Sequence, residues 1–159
     1  MTATAHAREL VAAVAEAAAD KLASDIVAFD MSDQLAITDA FVLCSAPNDR
    51  QVRAIVDAVE ERLAGMGVKP ARREGQREGR WVLLDYVDVV VHVQHAEERV
   101  YYSLERLWRD CPLIDLPESV LLAARQSARD RTPGDGAPSE RAASDQVASS
   151  QVASNGVDR

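Results

Sequence analysis

Hydrophobic residues recur along the first 116 residues with two different spacings, which predict helices and strands in turn. Spacings of three and four residues predict helices, which are expected at Ala5–Leu22, Asp49–Ala64 and Glu97–Trp108. Short apolar runs and alternating patterns predict strands, which are expected at Asp25–Asp30, Ala36–Ser45, Val68–Glu74, Arg80–Asp85 and Asp88–Val93. Helices and strands in this order predict an α/β domain with a mixed, roughly five-stranded sheet flanked by helices.

The pattern changes after Leu116. Residues 117–131 are expected to add a short helix outside the domain of residues 1–116. Residues 132–159 are rich in Ser, Ala, Gly, Pro and Asp. Too few apolar residues are present there to offset the entropy of ordering the chain, so we expect a disordered tail.

Composition narrows the possible classes of protein. No apolar run approaches the roughly 18 residues that cross a bilayer, and residues 1–8 lack a signal-peptide layout. Cys44 and Cys111 are the only cysteines. They are far apart and predict neither a disulfide framework nor a zinc site, which favours a reducing, cytoplasmic compartment. No membrane partner is expected.

The formal net charge is -8, and most of the acidity lies in residues 1–116. Acidic protein is repelled by phosphate backbones, so we expect no direct sequence-specific binding to nucleic acid. A basic protein surface would instead be attracted. The alternative is that the charge serves only solubility.

Motifs that carry enzyme chemistry are missing from the sequence. It has no Walker loop, GxGxxG or GxSxG motif, and its histidines His6, His92 and His95 lack zinc-ligand spacing. Asp85 and Asp88 are close enough to share a metal or a proton, but no glycine-rich loop or nucleophile accompanies them. We therefore expect a binding protein that is not an enzyme and needs no cofactor or metal.

The two clearest strands, Arg80–Asp85 and Asp88–Val93, flank Tyr86-Val87 and predict a tight hairpin. The expected pairs are Asp85 with Asp88, Leu83 with Val90, and Trp81 with His92. Alternation then places a uniformly aliphatic set on the core face, namely Val82, Leu84, Val89, Val91 and Val93. The opposite face carries Trp81, His92, Asp85 and Asp88.

This mixed face has two interpretations. In one, Trp81 packs beneath a helix and the aspartates only end the strands. In the other, the face docks a partner through Trp81, with carboxylates opposite Lys or Arg. The segment Arg99–Trp108 extends the second interpretation, because it adds Tyr102, Glu105 and Trp108 on or beside one helical face.

Segments in this order resemble the ribosomal silencing factor family, also called the Iojap family. They are ASDIVAFDM, ITDAFVLCSAPNDRQVRAIVDAV, RWVLLDYVDVVVHV and RVYYSLERLW. The resemblance covers about Ala5–Leu116. It implies a fold similar to nucleotidyltransferases without their catalytic residues, and binding to large-subunit ribosomal protein fourteen of the universal set. The bound protein would block joining of the ribosomal subunits and repress translation.

The resemblance leaves other roles open. Organelle relatives act in ribosome assembly at the same contact, and a degenerate nucleotidyltransferase would retain nucleotide binding. Some members of the family are homodimers. The sequence departs from the family at Val87, where glycine is usual in the turn, and at Ala46-Pro47, where a nucleotide-binding enzyme would need glycine.

Overall fold

The computed structural model describes residues 2–130. Five helices are present in this range: α1 (Ala5–Asp20), α2 (Asp49–Gly65), α3 (Ala96–Tyr102), α4 (Leu104–Leu107) and α5 (Glu118–Asp130). Five strands accompany them: β1 (Ser24–Asp30), β2 (Ala40–Ala46), β3 (Arg72–Glu74), β4 (Trp81–Asp85) and β5 (Val89–His95). The predicted tail, residues 132–159, lies outside the described residues.

Residues 2–127 form one compact unit, and residues 128–130, which end α5, fall outside it. Helix α5 falls within the stretch for which a short helix is predicted.

The strands form one mixed sheet in the order β1-β2-β5-β4-β3. Only β2 and β5 run parallel, while the other neighbouring pairs are antiparallel. The prediction of a mixed five-stranded sheet flanked by helices is therefore confirmed.

The core lies between one sheet face and helices α1 and α2. The aliphatic residues predicted for this face are all buried, namely Val82, Leu84, Val89, Val91 and Val93. Helix α2 buries one stripe of apolar residues at helical spacing, namely Val52, Ile55, Val56, Val59 and Leu63. Asn48 caps α2, because its Oδ1 accepts the backbone N–H of Gln51 at 2.8 Å.

The predicted hairpin pairing is wrong by two residues. Asp85 pairs with Val90, Leu83 with His92, and Trp81 with Gln94. The Tyr86 N–H donates to the Val89 carbonyl at 2.9 Å, so the turn is centred on Val87-Asp88. Since side chains alternate with a period of two, a shift of two residues leaves Trp81 and His92 on the same face.

Val87 adopts a left-handed conformation with φ 71°. A β-branched side chain rarely occupies this region, and glycine would do so without strain. The carboxylate of Asp85 supports the turn by accepting the Val87 N–H at 2.8 Å.

Other predicted boundaries also shift. Strand β2 begins at Ala40 instead of Ala36, and β3 is only Arg72–Glu74. The single helix predicted over Glu97–Trp108 is divided at Ser103, where φ is 47°. The Ser103 hydroxyl donates to the Val100 carbonyl at 2.7 Å, which stabilises this break between α3 and α4.

A candidate protein-docking face

The sheet face opposite α1 and α2 carries a row of aromatic side chains. Across neighbouring strands, Trp81 of β4 lies beside His92 of β5, and His92 lies beside Phe41 of β2 with ring centroids 5.2 Å apart. Phe41 pairs in register with Phe29 of β1. The row therefore crosses the sheet from one strand to the next.

Two aromatic side chains from the α3–α4 segment close over this row. Tyr102 packs against Trp81 with the ring planes tilted by 49° and the centroids 4.9 Å apart, and Trp108 meets Phe41 edge-on at 4.8 Å. We call the resulting set the aromatic cluster: Phe29, Phe41, Trp81, His92, Tyr102 and Trp108. Aromatic pairs at these separations contribute roughly 0.5–1.5 kcal/mol each beyond their buried area, so the cluster holds α3 and α4 against the sheet.

His92 positions Trp81 within the cluster. The indole Nε1 of Trp81 donates a hydrogen bond to Nδ1 of His92 at 3.2 Å. Burial lowers the pKa of His92 to about 4, so the imidazole is neutral at physiological pH. A neutral ring can accept through Nδ1, and this bond fixes the orientation of the half-buried Trp81.

The base of α3 is anchored to β4. Arg80 contacts Glu98 at 3.0 Å and Glu97 at 2.9 Å, both in the first turn of α3. His95 caps this helix by accepting the Glu97 N–H through Nδ1 at 3.1 Å.

Gly75, in the connection between β3 and β4, has φ 79°, and a Cβ there would overlap the Trp81 carbonyl. Glycine thus permits the close approach of the β3–β4 connection behind Trp81.

Several large apolar side chains are exposed on α3 and α4. Tyr101 is 81% exposed, Val100 77% and Leu107 73%, while Tyr102 is half exposed beside Trp81. Exposed apolar residues that lie close together mark interaction sites more often than scattered ones do. The sequence prediction included Tyr102 but not Tyr101, Val100 or Leu107, since helical periodicity alone did not show that α3 breaks at Ser103.

Of the residues predicted to bind a partner, Trp81, His92, Tyr102 and Trp108 come together in the aromatic cluster. His92 is buried, so it supports the face from below instead of presenting a contact. Phe29 and Phe41 were missed as members, because a strand pattern does not reveal which of its two faces meets which helix.

The three acidic residues predicted to contact a partner have other positions or other contacts in the structure. Asp88 lies in the turn, 4.0 Å from His6 of α1, and is not on the Trp81 face. Asp85 contacts Arg72 at 3.5 Å besides holding the Val87 N–H. Glu105 binds Nε of the buried Arg99 at 2.6 Å. The expected acidic half of the face is therefore engaged in contacts within the domain.

Within residues 2–130, no group of three or more His, Cys, Asp or Glu side chains could hold a metal ion. Burial raises the pKa of the Cys44 thiol to about 12, with a smaller opposing effect of Arg99, so this thiol is a poor nucleophile.

No helix in the described range is both long and apolar enough to span a bilayer.

The chain is similar in sequence and in structure to several known proteins. The family model described as "Ribosomal silencing factor during starvation" matches residues 4–146. The ribosomal silencing factor RsfS of Bacillus subtilis is 43% identical over 109 residues, which are 69% of this chain and 92% of the relative. A crystal structure of a Bacillus halodurans protein, 39% identical, has a TM-score of 0.61 and covers 68% of this chain and 98% of its own.

A more distant similarity extends to organelles. A mouse protein named mitochondrial assembly of ribosomal large subunit protein 1 is 25% identical over 123 residues, which are 70% of this chain and 54% of that protein.

Proposed function

Because the chain belongs to the ribosomal silencing factor family, and so to proteins that associate with the ribosome, we propose that it represses translation by binding large-subunit ribosomal protein fourteen of the universal set. The bound domain then occupies space that the small subunit needs, which blocks subunit joining. The action is steric and needs no catalytic residue. As a ribosome-bound factor it acts in the cytoplasm.

The aromatic cluster and its exposed margin carry this proposal. Trp and Tyr are enriched among the residues that contribute most binding energy at protein interfaces. Here half-buried Trp81 and half-exposed Tyr102 pack against each other and are held in place before any partner arrives. A rigid aromatic face loses little conformational entropy on docking. The net charge of -8 adds long-range attraction to a basic ribosomal protein, although Asp85 and Glu105 are already paired.

The test uses Tyr102→Ala and a matched control, Leu122→Ala. Both residues are helical and about half exposed, at 48% and 49%, but Leu122 lies on α5, away from the aromatic cluster. Calorimetry with purified ribosomal protein fourteen should show a loss of about 2 kcal/mol for Tyr102→Ala and little change for the control. Light scattering of mixed subunits should show less inhibition by the same variant.

Equal affinities for wild type and Tyr102→Ala, with the fold intact, would remove the aromatic face from the proposal. No binding by the wild-type protein would remove ribosomal protein fourteen itself. Light scattering of the protein alone separates monomer from the homodimer that the family resemblance predicts.

An assembly role is the second candidate, and the name of the mouse relative favours it. The contact on the ribosomal protein can be the same in both roles, so the particle distinguishes them. Sucrose gradients of cell lysate should place the protein on mature large subunits if it silences, and on precursor particles if it assists assembly. Retained nucleotide binding stays a hypothesis, which a thermal-shift assay with nucleotide and Mg²⁺ tests.

A further inference from the structure

A second surface lies at the other end of the α3–α4 segment, where this segment meets the edge strand β1. Here a cleft of about 810 Å³ opens between Ile26, Val27 and Phe29 of β1 and Val100 of α3, with Leu113 beside them. Its volume is within the range typical of small-molecule sites, roughly 300–1,000 Å³. The apolar residues form the walls on the strand side and the helix side.

Three guanidinium groups line the same cleft, from Arg99, Arg106 and Arg109. The acidic residues that also line it are Asp25 and Glu105. Glu105 is bound to Arg99, and neither Arg106 nor Arg109 has an ion pair with any residue in the range 2–130. The cleft is therefore a cationic site on a protein whose net charge is -8.

Arg99 shows that the cations are not simply a solvated surface. It is 8% exposed, and its Nη1 has no hydrogen-bond partner within the described residues. Its Nε is held by Glu105 at 2.6 Å, which fixes the guanidinium, so the exposed Arg106 and Arg109 are the cleft groups that an anion can reach. Guanidinium groups match the paired oxygens of carboxylates and phosphates.

We infer that this cleft is a binding site for a small anionic ligand, a carboxylate or phosphate group carried on an apolar body. Arg106 and Arg109 hold the anionic group, Arg99 adds a fixed positive charge to the lining, and the body packs against Val100, Leu113 and Ile26. The cleft shares Phe29 with the aromatic cluster and Val100 with its exposed margin, but Arg106 and Arg109 belong to neither. Binding of a small anion is a further activity, which does not depend on the proposed docking function.

The test is an NMR titration of the full isotope-labelled chain with four probes. Phenylacetate and phenyl phosphate carry both parts of the inferred ligand. Inorganic phosphate lacks the body, and benzyl alcohol lacks the charge. Amide signals around the cleft should shift with at least one of the first two probes. Binding of only one of them identifies the ligand as a carboxylate or a phosphate.

Arg106→Gln and Arg109→Gln provide the matched variants, with Arg125→Gln as control. All three side chains are exposed and none has an ion pair within the described part of the chain, so each variant loses one charge without disturbing packing. We expect the dissociation constant to rise about tenfold in each cleft variant and to stay nearly constant in the control.

Three results would overturn the inference. One is the absence of shifts at the cleft with either aromatic anion at millimolar concentration. Another is binding of inorganic phosphate or benzyl alcohol as tight as that of the aromatic anions. The third is an equal effect of Arg125→Gln and the cleft variants, which would indicate general charge attraction only.

Discussion

Trp81 bonds to His92 although the two residues are not direct partners in the sheet. The direct neighbour of Trp81 on β5 is Gln94, and the indole reaches diagonally to His92 Nδ1 at 3.2 Å. Long aromatic side chains can span such diagonal positions. The contact links the stability of the aromatic cluster to the protonation state of one buried imidazole.

This link predicts that acid destabilises the protein between about pH 6.5 and pH 4. The pKa of His92 is lowered from 6.5 to about 4 by burial, so in this window the unfolded chain binds a proton that the folded chain does not. Stability is therefore complete above pH 6.5 and falls as the pH drops towards 4, by up to roughly 3 kcal/mol. Urea unfolding at pH 7 and pH 5 measures the change.

His92→Phe supplies the control for this prediction. The variant keeps an aromatic ring among Phe41, Trp81 and Trp108 but has no group that titrates. Its free energy of unfolding should vary less between pH 7 and pH 5 than that of the wild type. The same pH dependence in both proteins would assign the effect to other groups.

Substitution of Trp81 should separate packing from hydrogen bonding. Trp81→Ala removes the stacking on Tyr102 and should weaken binding to ribosomal protein fourteen by at least about 2 kcal/mol. Trp81→Phe keeps a smaller ring against Tyr102 but loses the donor to His92 and part of the aromatic surface, so we expect a smaller loss. Calorimetry measures both affinities, and circular dichroism checks the fold. Equal losses in the two variants would show that a smaller ring without the indole N–H keeps none of the affinity that Trp81 supplies.

Glu105→Gln should destabilise the α3–α4 segment. Arg99 is buried, and Glu105 is its only carboxylate partner within residues 2–130, so the variant leaves a buried cation without its counter-charge. A loss of about 1–3 kcal/mol is expected in urea unfolding, since Glu105 itself is partly exposed to solvent. Glu97→Gln is the control, because Glu97 is largely exposed and its partner Arg80 keeps Glu98.

A negligible effect of Glu105→Gln would mean that Arg99 finds sufficient solvation elsewhere.

The contacts of Glu105 and Asp85 within the domain affect how charge-reversal experiments are interpreted. Glu105→Lys or Asp85→Lys would disturb Arg99 or the turn at Val87 as well as any partner contact. A slower association by either variant therefore reports on docking only if unfolding experiments show an intact domain.

Val87→Gly should stabilise the protein. Val87 has φ 71°, a conformation that costs an L-residue roughly 1–2 kcal/mol and costs glycine little. Part of the gain is lost to the greater freedom of glycine in the unfolded chain, so we expect a net gain of about 1 kcal/mol. Thermal unfolding should show a higher Tm, with Val87→Ala between the two. A lower Tm for Val87→Gly would mean that the exposed valine makes a compensating contact.

The sequence alone determined the features that depend on local periodicity. The five-residue apolar stripe of α2 and the aliphatic core face of the hairpin follow from the spacing of apolar residues, and the structure has both. The prediction that Trp81 and His92 lie on the same face was also correct, because the alternation of side chains along a strand is unchanged by a shift of two residues.

Tertiary structure decided the hairpin register, the break in the last predicted helix and the use of the carboxylates. The carbonyl of Asp88 accepts the N–H groups of Asp39 and Ala40, so a contact with the start of β2 fixes where the turn lies. Glu105 turns inward because folding buries Arg99, and the aromatic cluster forms because β1 and β2 bring Phe29 and Phe41 beneath Trp108. These contacts join residues that are distant in the sequence. A local pattern of apolar residues does not show which distant segments will come together.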